Sequence, residues 1–163
     1  MDIELMLIDA SAVALTSIND RPAACTVGFS QVDTGLSLDD DPTTDVRCEI
    51  VAAGVVDKHT LGRAVVAAAR EIEALGVSAQ PGVLLEGVLG GLGAGVRHGW
   101  LREPELFDRG TPLNREPGQL TLLLELVALT DEEFDIARDQ GLDVLSRRLR
   151  RRGTDVGQWN RGA

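Results

Sequence analysis

Apolar and polar positions alternate with a period of two along four stretches of the chain, as side chains do on successive residues of a strand. From Ile3 to Ile8 the set Ile3, Leu5 and Leu7 separates from Glu4, Met6 and Ile8. From Ala23 to Ser30, Ala23, Cys25, Val27 and Phe29 share one face, while Ala24, Thr26, Gly28 and Ser30 share the other. From Val46 to Ala52, the positions Val46, Cys48, Ile50 and Ala52 read as inward, with Arg47, Glu49 and Val51 outward. Between these last two runs lies VDTGLSLDDDPTTD, polar, acidic and rich in turn residues, so they are expected as antiparallel neighbours. The fourth stretch, Gln119 to Val127, sets Leu120, Leu122, Leu124 and Leu126 against Thr121, Leu123, Glu125 and Val127. Apolar residues on both faces predict a central strand.

Helical spacing takes over after Asp57, which can cap a helix running to Leu75 with Gly76 as its stop. Leu61, Val65, Ala68, Ile72 and Leu75 form its predicted buried stripe, and Arg63, Arg70, Glu71 and Glu73 its solvent side. Thr130 and Glu133 read as a capping box, Gly141 interrupts the helix that follows, and Leu142, Leu145 and Leu149 make another stripe. Arginines at 147, 148 and 150–152 crowd the end of that last helix, where cations meet the negative end of the dipole. Residues 81–118 carry short apolar pieces around 83–88 and 96–101 and then a proline-punctuated loop. The expected architecture is α+β, one domain over 1–152, a mainly antiparallel or mixed sheet with helices packed on one side, and a frayed polar tail over 153–163.

Composition narrows the function classes. A chain of 163 residues with 44% hydrophobic positions can bury roughly two thirds of its unfolded surface in one domain. Only 3% of residues are aromatic, so aliphatic side chains must build the core. A net charge of −10 argues against general nucleic-acid binding and suits a basic protein partner. The opening MDIELMLIDAS lacks the basic start of a signal peptide, and no apolar run reaches the ~20 residues of a membrane span. A cytoplasmic protein without membrane contact is the expectation. Two cysteines, Cys25 and Cys48, are too few for a disulfide framework and are expected buried and reduced.

Candidate chemistry is sparse. Arg47 and Glu49 share a strand face opposite the small residues Thr26, Gly28 and Ser30, and such a face could receive a partner. The plainer reading is an internal ion pair, or bonds to a neighbouring loop. Gly90 to Gly95 lacks the strand before and the helix after that a phosphate loop needs. His59 and His98 lie apart, with no carboxylate or thiol at metal-ligand spacing, so neither a metal nor any other cofactor is expected. Asp39, Asp40, Asp41 and Asp45 make a dense acidic loop without calcium-loop spacing, either solvated or facing a basic partner. Trp100 reads as a core plug, and Trp159, in the tail, as a partner contact.

The anchors resemble a family. TVGFS resembles the Thr-x-Gly-x-Ser strand of the Suppressor of fused family, and RCEIV its Arg-x-Glu-Leu strand beyond a loop. ELVALTDEEFDIARDQGLDVL resembles the family's strand that runs into a capped helix and a Gly-led last helix, with Ala128 where the family usually has Pro. The resemblance spans Ala23 to Leu149 and is loosest over 81–118. It implies a non-enzymatic binding protein: the animal protein grips a peptide of a transcription factor, and bacterial relatives serve as immunity proteins against toxins. Arg47, Glu49, Asp39, Asp40, Asp41 and Trp159 are the candidate partner-binding residues. Two alternatives stay open, a small enzyme with its cleft in 81–118 and a homo-oligomeric structural protein, for which a homodimer is the simplest form.

Overall fold

The computed structural model describes residues 2–162. Nine strands form one mixed sheet: β1 (Glu4–Ile8), β2 (Ser11–Ile18), β3 (Arg21–Thr26), β4 (Ser37–Leu38), β5 (Asp41–Ala53), β6 (Leu84–Leu85), β7 (His98–Arg102), β8 (Leu113–Glu116) and β9 (Gln119–Leu129). Three helices accompany it: α1 (Lys58–Leu75), α2 (Asp131–Gln140) and α3 (Leu142–Arg152). The strand order is β1-β2-β3-β5-β9-β7-β6, with β4 added to β5 and β8 to β9. Among the described residues only β5 and β9 run parallel, in a register that places Arg47 beside Thr121 and Glu49 beside Leu123. The crossover between them contains α1, as a parallel connection requires.

The first three strands form a meander made by two-residue turns. Asp9 and Ala10 take positive φ of 50° and 65°, and Asn19 and Asp20 take 51° and 62°. Consecutive left-handed residues twist in the sense of the flanking strands, which is why such turns close hairpins. β2 lies outside the four alternating stretches read from the sequence, and the Asn19-Asp20 pair at its end is the local hairpin signal.

α1 begins where expected. The Asp57 carboxylate accepts from the Thr60 N–H at 3.0 Å and the Thr60 hydroxyl at 2.6 Å. Its stop is Gly76, in the left-handed region. Leu61, Val65, Ala68 and Ile72 are buried, whereas Leu75, the last residue of the helix, is 55% exposed and does not continue the buried stripe. α2 carries the full capping box between Thr130 and Glu133.

The α+β class and the mixed sheet are present, and the helices, expected on one side, divide between the faces. Leu124, Leu126 and Ala128 of β9 join α1, Cys48, Ile50 and Ala52 in the main core. Val127 and Leu129 point the other way, to Trp100, Phe134, Ile136, Ala137 and Leu145 beneath α2 and α3. Alternation along β9 thus feeds two cores, and the strand is central as its sequence predicts.

Residues 153–162 correct the expectation of a frayed tail. Trp159 is 2% exposed and belongs to the main core, so it is not available to a partner. Gly54 makes room for it: a Cβ there would stand 2.8 Å from the indole Nε1. Arg21 and Asp155 pair through two bonds of 2.9 and 2.6 Å. Arg161 donates to Glu133 at 2.9 and 3.2 Å and also to the carbonyls of Val156, Gln158 and Ala128. Polar composition suggested disorder, but these polar groups have partners and the indole fills a cavity.

Candidate functional site

Glu49 and Arg47 turn out to clasp the segment that follows β3. That strand ends at Thr26, and the backbone then turns through Gly28, at φ +100°, into a 3₁₀ turn over Phe29–Gln31. Positive φ here favours glycine. Glu49 Oε1 accepts from the Thr26 hydroxyl at 2.8 Å and the Phe29 N–H at 2.9 Å. Its Oε2 accepts from the N–H groups of Gly28 at 3.1 Å and Ser30 at 3.2 Å. Three consecutive amides converging on one carboxylate form an anion-binding concavity, filled by the chain's own side chain. The Thr26 hydroxyl also accepts from the Ile50 N–H at 2.8 Å. Arg47 donates through Nη1 to the carbonyls of Ser30 at 3.3 Å and Gln31 at 3.1 Å, and through Nη2 to Asp45 at 3.3 Å.

The two phrases TVGFS and RCEIV are therefore halves of one clamp. The strands carrying them are antiparallel neighbours through Ala23–Ala53, Ala24–Ala52 and Cys25–Val51. TVGFS leaves the sheet at Thr26 instead of continuing to Ser30. The reading in which these charges bond a neighbouring loop describes the geometry. Both cysteines are free; Cys48 is buried and Cys25 only half-buried. Desolvation, reinforced by the Glu49 charge, pushes the Cys25 thiol up to about 12 and Cys48 to about 11. Thiols held so far toward their neutral form are poor nucleophiles.

The acidic loop ends in an exposed turn. Asp39 and Asp40 are exposed at the β4–β5 connection, while Asp41 accepts from the hydroxyls of Thr43 at 2.6 Å and Thr44 at 2.7 Å. Those bonds lower the Asp41 pKa. The same strand pair leads into an open groove of ≈ 470 Å³. Val46, Cys48, Leu122 and Leu124 form its floor, and Leu36, Pro104, Pro112 and Leu113 are among its walls. It exists because β9 changes partner, pairing with β8 through Leu122 and with β7 only from Glu125 onward. Glu103 stands at its margin, and Leu113 is 61% exposed. The irregular stretch 81–118, where the sequence allows a cleft, supplies one wall through Pro81, Pro104, Pro112 and Leu113, but the floor on β5 and β9 is not legible locally, because a partner switch on one strand has no local signature.

The remaining polar clusters support the fold. His98, 8% exposed, accepts the Gly87 N–H at Nδ1 (2.8 Å) and faces Asp131 from Nε2 at 2.7 Å. Its ring stacks on Phe134 with centroids 4.4 Å apart. The bond from His98 and the charge of Arg97 lower the Asp131 pKa. Gly93, Ala94 and Gly95 of the glycine-rich run border a hollow at the start of α2. That helix end is capped by its own side chains and carries Asp131 and Glu132, which would repel a phosphate. Among the described residues no three His, Cys, Asp or Glu side chains cluster as metal ligands, and no helix is long and apolar enough to cross a membrane.

No protein-family model matches the chain, and no curated protein matches it in sequence. Solved structures do. A Suppressor of fused homologue from Neisseria gonorrhoeae superposes with a TM-score of 0.71 at 13% identity, over 98% of this chain and 86% of that one. This chain has the Suppressor of fused fold. A chain of the crystallised Sufu–Fu complex gives 0.65 at 12% identity, over 97% of this chain and 80% of that one. Drosophila Suppressor of Fused gives 0.59 at 11%, over 91% of this chain and 40% of that one. The resemblance seen in the clamp phrases and the capped helix pair thus extends to nearly the whole Suppressor of fused-like backbone.

Proposed function

We propose that this Suppressor of fused-like domain is a non-enzymatic protein-binding module whose partner inserts an apolar side chain beside β9 and presents basic residues to Asp39, Asp40 and Asp41. The observation that carries the reading is the open groove beside β9, where half-buried Val46 and Leu122 and exposed Leu113 present apolar surface above the buried Cys48 and Leu124, in a protein of net charge −10. Exposed apolar clefts mark interaction sites, and charge of one sign speeds the encounter with a partner of the other. A structural relative crystallised as the Sufu–Fu complex supports protein recognition by this fold. In this reading Arg47 and Glu49 support the site from the opposite sheet face by fixing residues 28–31, and Trp159 contributes only through the core. A toxin-neutralising immunity protein is its narrower form, consistent with an acidic chain meeting a basic toxin.

Peptide arrays in which one apolar residue is flanked by Lys or Arg test the proposal directly. Selected peptides should bind with rates that fall as salt rises. Leu113→Asp should weaken the complex, and Asp39→Asn with Asp40→Asn should slow association while leaving dissociation nearly unchanged. Indifference of binding to all three changes refutes the site. Reproducible turnover of a substrate, abolished by changing one polar residue in 81–118, would instead establish the enzyme.

A further inference from the structure

The sheet has one edge that lacks the usual protection. β1 is a terminal strand, and Ile3, Leu5 and Leu7 on the face away from α1 are 60%, 71% and 71% exposed. The other ends are blunted: β6 has two residues with Leu85 fully buried, and β8 has four, including Arg115 and Glu116. Short or charged edges are how sheets avoid pairing with another chain, and β1 shows neither device on its apolar face. The turn at Asp9 and Ala10 makes Ile8 and Ser11 the hydrogen-bonded pair that closes the hairpin. Main-chain groups of Glu4, Met6 and Ile8 therefore aim at β2. Those of Ile3, Leu5 and Leu7 aim outward.

We propose that β1 pairs antiparallel with β1 of a second copy about a twofold axis through Leu5, joining two sheets into one. In that register Leu5 faces its own counterpart and Ile3 faces Leu7 of the second copy, so the exposed apolar row is matched along its whole length. On the other face Glu4 stands opposite Met6 and Asp2 opposite Ile8, so no two acids meet although each strand carries acidic residues. The charges also complement one another. Arg70 of α1 donates to the Asp9 carbonyl and lies 3.3 Å from Ser11 Oγ, at the end of β1 where Asp2 of the other copy arrives. Asp2 has the parity of Ile8, whose side chain packs with α1 in the main core, so both charges lie on the same face. Self-complementarity of this kind selects a second copy over an unrelated peptide.

Sedimentation equilibrium across micromolar concentrations should show a species of twice the 17.4 kDa chain mass. Leu5→Lys and, separately, Leu7→Arg change exposed side chains, so the fold persists by circular dichroism while the dimer is lost. Asp2→Arg should weaken dimerisation about a hundredfold, because the twofold axis turns two charge pairs repulsive at about tenfold each. Hydrogen exchange supplies an independent reading: the Ile3, Leu5 and Leu7 amides should gain protection as concentration rises. A protein that stays monomeric into the high micromolar range overturns the proposal. So does a dimer that Leu5→Lys leaves intact, or protection of those amides without any change in mass.

Discussion

Replacing Glu49 by Gln removes half of the clamp while preserving its shape. The wild-type carboxylate accepts four bonds of 2.8–3.2 Å, two at each oxygen. A glutamine can keep its amide oxygen toward Thr26 and Phe29, but its NH₂ then faces the N–H groups of Gly28 and Ser30, donor against donor. A hydrogen bond to a charged group contributes about 1.5–3 kcal/mol, and a buried donor left without an acceptor costs about 1–3 kcal/mol. Gly28 is exposed and can turn to water, whereas Ser30 is half-buried, so the upper ends of these ranges do not add. The expected loss is about 2–3 kcal/mol. For a domain of this size that lowers the melting temperature by roughly 4–12 °C. Urea unfolding followed by circular dichroism measures it, with the midpoint moving and the slope constant. Amide exchange should accelerate in residues 28–31 well before it does in α1. A loss below about 0.5 kcal/mol, the level of an ordinary surface change, would refute the clamp as a stabilising unit.

Arg47→Lys should cost about 1–2 kcal/mol, since an ammonium cannot reach two carbonyls and Asp45 in one plane, and should be non-additive with Glu49→Gln in a double-mutant cycle of urea midpoints. Trp159→Ala should destabilise by about 3–5 kcal/mol, the cost of emptying a buried aromatic site, and chemical denaturation will show it. The bond from Arg21 is the chief reason the Asp155 pKa is lowered to about 2. A depressed folded-state value means that its stabilisation is present above the unfolded pKa of about 3.9 and disappears as pH falls through 2. Melting temperature followed from pH 5 to 2 should decline less steeply in Asp155→Asn, and identical slopes would contradict the pairing. With Cys25 and Cys48 raised to about 12 and about 11, maleimide labelling at neutral pH should proceed only as the protein unfolds.

Much of this fold could be read locally, because its signals act within a few residues. Asp57 and Gly76 bound α1, Thr130 and Glu133 start α2, and apolar parity marks β5 and β9 as core strands; each depends on capping or on a period of two or 3.6. Other features arise only when distant segments meet. Nothing in the alternation of Val46–Ala52 or Gln119–Val127 says that they pair in parallel, since one apolar face serves either direction. The division of the helices between two cores follows from that pairing, which leaves both faces of β9 to be covered. TVGFS and RCEIV carry the residues of the clamp, but its purpose appears only when Glu49 lies under the amides of Gly28, Phe29 and Ser30. The tail misled because polar composition reports average solvation, whereas burial of Trp159 depends on the space above Gly54. The groove is less legible still, for it is bounded by a change of strand partner along β9. Local chemistry thus specified helix ends, strand parity and acidity, while long-range contact determined which charges are spent inside the fold and which apolar surfaces remain open.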